Sequence, residues 1–412
     1  MRTDTHILLA QTLLRVGSNR TTVVALLIAS LLVACGGGDK TPTTTGTSFI
    51  QTLTPAAALG EKIFKDTSLS ASGRMACSTC HDAAFGHASP FTTPVAMGGA
   101  NLDQPGTRLP PALGYLRFNT PFRIQADGTA VGGFTWDGRV DTLADQARRP
   151  FLSSNEMANP DVASVITKLS KAPYAAAFKA TFGADIFDNP IVAFDRMVLA
   201  LERYQREDVD FAPFSSKFDA FTAGKTAFNG AESRGLVLFN REDKGNCAAC
   251  HPSTKAANAP GALFTDFTYD SLGVPRNNNI AANADASYFD LGLCGSTRSD
   301  LAARNGLCGK FKVPSLRNVA LRKRFFHNGQ FDSLEQVVRF YVSRDTSART
   351  WYLLDAMGNV TGYDDLPVDM RGNVNTAEGP YNRQAGDAPA LNESEMQDLV
   401  AFLHTLSDGY RP

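Results

Sequence analysis

Cys77-Ser78-Thr79-Cys80-His81 and Cys247-Ala248-Ala249-Cys250-His251 are two copies of one pattern, C-x-x-C-H, in a single chain. Each follows a short apolar segment of similar form, Leu59-Gly60-Glu61-Lys62-Ile63-Phe64 before the first and Arg234-Gly235-Leu236-Val237-Leu238-Phe239 before the second. The parts of the pattern do one joint job: two thiols form thioethers to porphyrin vinyl groups, and the adjacent imidazole reaches the iron. A redox dithiol and half of a zinc site are the competing readings. Two copies, each followed by histidine in a chain with an export signal, argue against both. Cys77, Cys80, Cys247 and Cys250 are therefore the expected attachment points of two covalently bound c-type haems, with His81 and His251 as proximal ligands. A repeated helix leading into a repeated motif implies tandem units. The expected domains are 51–225 and 226–412, with the boundary near Gly224 to Gly230.

The 412 residues suffice for two ordinary domains, and a hydrophobic fraction of 43% is normal for globular cores. A formal charge of −1, without a long basic or acidic run, gives no electrostatic case for nucleic acid. Arg15 and Arg20 precede an apolar run from Val23 to Val33, and Leu32-Val33-Ala34-Cys35-Gly36 follows the form of a bacterial lipobox. Residues 1–35 thus read as a lipoprotein signal peptide and 36–50 as a flexible tether. The chain is expected in the periplasm, lipid-anchored through Cys35, at the outer membrane; an uncleaved anchor or a plain signal peptide are the alternatives. In an oxidising compartment Cys294 and Cys308 are expected to form a disulfide, the alternative being two buried thiols.

Periodicity is mainly helical, so the expected fold is mostly α with long ordered loops at 86–133 and 252–310. Asn159-Pro160 suggests a cap followed by proline at the first helical position, with Val162, Val165, Ile166 and Leu169 on one face. Ile191, Phe194, Met197, Val198 and Leu201 make a second stripe. Asn392 with Glu395, and Ser333 with Gln336, suggest capping boxes, the latter opening a helix whose inner face carries Leu334, Val337, Val338 and Tyr341.

Phe134-Thr135-Trp136-Asp137-Gly138-Arg139, then Gln146, Pro150 and Glu156-Met157, lie between the two motifs. Phe311-Lys312-Val313-Pro314-Ser315-Leu316-Arg317-Asn318 and Phe326-His327-Asn328-Gly329 follow the second. With these stretches the chain, from about residue 55 onward, resembles the bacterial di-haem cytochrome c peroxidase / MauG family. The resemblance implies an oxidoreductase of two tandem cytochrome c-like domains that reduces hydrogen peroxide with electrons from a small cytochrome or cupredoxin. It implies Glu156 as the acid-base group at the first haem, Gln146 as the positioning amide and Trp136 as the relay between haems. A carboxylate over an open haem face suits proton relay across a peroxide O–O bond. The bland alternatives are a surface carboxylate, a solvated amide and a core tryptophan.

In the family a histidine often caps the first haem from the segment ahead of Arg108. Here that segment reads Val95-Ala96-Met97-Gly98-Gly99-Ala100-Asn101 and has none. His87, six residues after His81, is expected to be a solvent-facing loop residue, which leaves the first haem open. The axial ligand of the second haem falls at Tyr341, where most members present methionine; Met357 or Met370 is the alternative. A phenolate ligand favours ferric and higher oxidation states, which raises a second reading, a MauG-like oxidase acting on a partner protein. A non-catalytic electron-transfer cytochrome is the reading of another class. Calcium is doubtful, since Leu109, Arg322 and Arg324 occupy the positions that hold it in the family, and whether it binds stays open. Arg317 is a candidate partner for a haem propionate, or else for an ordinary ion pair. His327 belongs to a family motif without ligating iron there, and His404 reads as a helix histidine.

Overall fold

The computed structural model describes residues 52–411, so the leader, Cys35 and the tether lie outside the described residues. Helix dominates, as the periodicity requires. Helix α1 (Pro55–Lys65) leads through a one-turn α2 (Cys77–Cys80) into a loop region braced by two small hairpins. These are β1 (Met97–Gly98) with β2 (Gln104–Pro105), and β3 (Arg123–Ile124) with β4 (Ala130–Val131). Four helices follow: α3 (Leu143–Leu152), α4 (Val162–Leu169), α5 (Ala175–Phe182) and α6 (Pro190–Glu207). Then come α7 (Lys217–Thr222) and α8 (Gly230–Asn240), the antiparallel pair β5 (Tyr269–Asp270) and β6 (Phe311–Lys312), and finally α9 (Leu334–Ser343) and α10 (Glu393–His404).

The apolar residues divide into two main clusters. One draws on residues 59–211 and the other on 218–406; Phe218 of α7, ahead of the expected boundary, packs with the second. The two clusters are built alike. In the first, α1 lies across α6; in the second, α8 lies across α10. The glycines of the repeated segments sit at these crossings. A Cβ on Gly60 would stand 2.0 Å from the Ala200 carbonyl oxygen, and one on Gly235 would stand 2.0 Å from that of Asp398. Close-packed backbones leave no room for even one methyl group.

Local chemistry sets the helix ends, not always where the sequence suggests. Asp161, not Asn159, caps α4, its carboxylate accepting from Ser164 N at 2.7 Å. Asn159 turns inward instead, donating to the carbonyls of Leu69 and Phe151 at 2.9 Å each. The Asn-Pro signature operates at α6, where Asn189 caps and Pro190 occupies the first helical position. Ile191, expected on the inner stripe, is exposed in the first turn of α6. Asn392 and Glu395 form the reciprocal box on α10. The α9 cap is only half a box: Ser333 Oγ accepts from Gln336 N, while Gln336 Oε1 takes the N–H of Asp332.

His87 is not in solvent. It is 3% exposed, stacks on Phe211 with ring centroids 3.9 Å apart, and meets the Phe64 ring edge-on. Neither ring nitrogen has a partner among the described residues, and burial pushes the imidazole down to about 4. Cys294 and Cys308 form a disulfide in the loop ahead of β6, with Cα atoms 4.8 Å apart.

Gly60→Ala and Gly235→Ala should each lower stability by about 1–3 kcal/mol, read as an earlier midpoint in denaturant, whereas Gly306→Ala, at an open position, should be neutral. A Gly235→Ala protein as stable as the parent would refute the close-contact account. Because His87 stays neutral when folded, the unfolded chain takes up its proton first as pH falls. Stability contributed by burying it is therefore present above the ordinary value of 6.5 and lost toward about 4. His87→Phe should remove up to about 3 kcal/mol of that acid dependence, and identical stability-versus-pH curves for parent and variant would exclude it.

Candidate functional site

At the first C-x-x-C-H the thiols stand at the two ends of the single turn α2. The turn is held by the Thr79 hydroxyl, which accepts from Ala76 N at 2.9 Å, and by His81 N bonded to the Cys77 carbonyl. Both thiols are free, and burial pushes each up to about 12. Burial also pushes His81 down to about 4, so its imidazole is neutral, the form that binds a metal. Its Nδ1 is buried without a hydrogen-bond partner among the described residues.

Glu156 lies beside these thiols, since its charge is felt by both. It follows α3, and its carbonyl accepts from Gly99 N, next to β1, at 2.8 Å. Asn155 secures the same turn by donating to the Pro105 carbonyl of β2. The Glu156 side chain remains solvent-accessible but is walled by protein. That crowding raises its carboxyl above the usual range, against the pull of Arg139 and Arg149. Gln146 sits on α3 and Trp136 in the preceding loop; both line a largely apolar cavity. Trp136 is held there by Nε1–H donating to the Leu109 carbonyl at 2.7 Å and by its own carbonyl accepting from Lys312 N.

The same cavity is lined by Cys247, Cys250 and His251 of the second motif. A 3-10 turn over Cys247–Ala249 presents these free thiols, which burial pushes up to about 12. His251 Nδ1 lies 2.8 Å from the Phe264 carbonyl. A carbonyl only accepts, so Nδ1 carries the proton and Nε2 keeps its lone pair for a metal. Tyr341 of α9 lines the cavity with Leu334, Val337 and Val338, the face expected from the sequence. Its ring lies 5.7 Å from that of Phe326 and 5.9 Å from that of Tyr381. Met357 is 84% exposed, and Met370 does not line the cavity.

Free paired thiols and a neutral imidazole at each motif suit two haems, and the apolar cavity is that of the second motif: Cys77, Cys80, His81 and Glu156 are not among its lining residues. An orphan cation also suits a haem there: Arg322 lines the cavity, its Nε is buried without a partner, and no carboxylate pairs with it among the described residues. Arg317 is differently placed. It is 2% exposed, and its guanidinium is fully engaged by Asp219 at 2.6 and 2.8 Å, by Ser216 and by the Ala262 carbonyl. It is not among the residues that line the cavity, and its bonds make it a buried structural tie. His327 stacks on Phe311, with Nε2 3.3 Å from an Asp365 oxygen, and His404 is exposed in the last turn of α10. The sequence reading missed Arg322, Lys312 and Tyr381 as cavity residues. Lys312 lies in the Phe311-to-Asn318 stretch and Arg322 at a calcium position of the family, but no sequence signal pointed to Tyr381.

The model of the family described as di-haem cytochrome c peroxidase matches residues 54–227. The methylamine utilization protein MauG of Paracoccus denitrificans is 36% identical over 358 residues, covering 85% of this chain and 88% of the relative. The cytochrome c551 peroxidase of Pseudomonas aeruginosa is 31% identical over 350 residues, covering 85% and 78%. Among solved structures, the diheme peroxidase BthA from Burkholderia thailandensis superposes with a TM-score of 0.80 at 36% identity, covering 87% of this chain and 88% of that one. On this fold, these paired motifs and these relatives, the chain belongs to the di-haem cytochrome c peroxidase family and is an oxidoreductase of that family.

Proposed function

We propose that this chain reduces hydrogen peroxide at the Cys77–Cys80–His81 site, with electrons from a small envelope redox protein, a cytochrome or a cupredoxin. The observation that carries the reading is Glu156, a carboxyl with a raised affinity for its proton, secured beside the first pair of thiols. Cys77, Cys80 and His81 would hold one c-type haem, and Cys247, Cys250 and His251 the other, each through two thioethers and an imidazole. Each haem, when bound, would supply redox equivalents and an iron centre able to polarise a peroxide oxygen.

The chain's own residues do the rest. Glu156 keeps a proton closer to neutrality than an ordinary glutamate does, hands it to the departing hydroxyl and is reprotonated from the solvent its side chain still meets. Gln146 orients the peroxide by hydrogen bonding. Trp136, immobilised by Leu109 and Lys312, stands with Gln146 in the cavity lined by the second motif and serves as the relay. One hydrogen peroxide, two protons and two electrons become two waters. His87 is packed against Phe64 and Phe211, which supports its having no part as a second iron ligand at the first site. The two apolar clusters support tandem cytochrome c-like domains. Calcium has no part in this reading: the Leu109 carbonyl is taken by Trp136, and two guanidinium groups occupy the neighbouring positions. Export to the periplasm and lipidation at Cys35 rest on the leader sequence; among the described residues no helix is long and apolar enough to cross a membrane.

Tyr341 favours a second reading, in which the second site shares oxidising equivalents and the enzyme modifies a partner protein as a MauG-like oxidase. The exposure of Met357 and the position of Met370 outside the cavity support Tyr341 as the ligand. A partner whose mass changes only with peroxide and this protein would establish that reading.

Glu156→Gln should lower peroxide turnover about 100-fold while retaining two haems per chain by pyridine haemochrome assay; unchanged turnover would remove the acid-base role. Tyr341→Phe should change the optical and paramagnetic signature of one haem only. An unaltered spectrum would return the ligand assignment to methionine.

A further inference from the structure

Three basic side chains, Lys312, Arg322 and Arg324, line the cavity shared by Trp136 and the second C-x-x-C-H motif, and none has a salt-bridge partner among the described residues. Lys312 Nζ reaches only the Gly133 carbonyl, at 3.2 Å, and Arg324 Nε the Thr92 carbonyl, at 2.6 Å. Arg322 is the most constrained. Its Nη2 donates to the carbonyls of Ser315 and Arg317, at 2.6 and 3.3 Å, and its Nε is buried and unbonded. Its charge reaches His251, and burial alone pushes the guanidinium down to about 10.

A buried cation without a counter-ion is strongly unfavourable. Elsewhere in this protein the cost is met by carboxylates: Arg317 by Asp219, Arg344 by Asp345, and Arg108 by Asp137 and Asp290. Four carboxylates line the same cavity. Asp290 is engaged by Arg108, Asp365 by Arg276 and His327, and Asp270 and Glu378 both accept from Asn375; none pairs with Arg322 among the described residues. The missing anion must therefore come from what fills the cavity. Two backbone carbonyls fix the planar guanidinium through Nη2, and a guanidinium held in one orientation on a cavity wall suits a carboxylate.

We infer that Arg322 is an anchoring site for a haem propionate carboxylate at the Cys247–Cys250–His251 site, the position the sequence reading gave to Arg317. This rests on the haem reading above. Arg322 acts through the propionate and is a positioning residue: it orients the macrocycle and holds positive charge near the iron, which favours the reduced state.

The test uses the full haem-loaded protein and three variants, Arg322→Gln, Arg322→Lys and Arg324→Gln, with haem counted first. Potentiometry should show the midpoint of one haem moved to more negative potential in Arg322→Gln, with a smaller shift in the same direction in Arg322→Lys. The propionate bending band in resonance Raman should shift in both. Arg324→Gln, which alters a half-buried cation of the same cavity, should leave that band in place. If Arg322→Gln does not accumulate with two haems, Arg322→Lys carries the test. Two haems per chain with midpoints and propionate bands identical to the parent in both Arg322 variants would overturn the inference. A parent chain carrying fewer than two haems would overturn the haem reading instead.

Discussion

Asp137 is fully buried, and the walls of the site are arranged around its charge. Its carboxylate accepts from Arg108, Arg139, Thr135 and Thr297, and its carbonyl accepts from Arg298. Arg108 continues the network to Asp290. Burying so much charge is tolerable only because every acceptor is satisfied; deleting one member of such a set costs about 3–5 kcal/mol. The network joins the loop ahead of α3 to the loop ahead of β6, and so joins polypeptide from before and after the second motif. Trp136, next to Asp137, inherits its fixed position from this arrangement.

Around that hub the chain uses one construction twice. A glycine lets the helix before each C-x-x-C-H motif lie directly on a later helix, and the rest of each apolar cluster packs outward from the crossing. The result is two rigid platforms carrying thiols and imidazoles, with irregular loops between them carrying the groups that differentiate the sites. Polar chemistry is thereby confined to loops and helix ends held from both sides. The first site has an accessible carboxyl nearby; the second has a phenol and unpaired cations on its cavity wall. The chemical asymmetry follows from what each set of loops contributes, not from the platforms.

The cations illustrate how burial reassigns roles. Arg317 and Arg322 lie five residues apart in one loop, and both are buried guanidinium groups. Arg317 meets Asp219 from α7 and closes a structural ion pair. Arg322 meets only backbone carbonyls and keeps its charge directed at the cavity. The difference lies in which helix happens to approach.

What could be read along the chain was whatever depends on neighbours in sequence: the C-x-x-C-H motifs, the paired segments before them, the helical period, the box at Asn392 and Glu395, and the cavity face of α9 with Tyr341. Each is a local pattern, with its chemistry complete within a few residues. The placements decided by tertiary structure depend on partners far away. His87 is buried because Phe211 and Phe64 close over it, Asn159 faces inward because the Leu69 and Phe151 carbonyls need a donor, and Arg317 is engaged because Asp219 lies beside it. No local pattern encodes those distances; a polar side chain takes its role from the long-range contacts that satisfy or strand it.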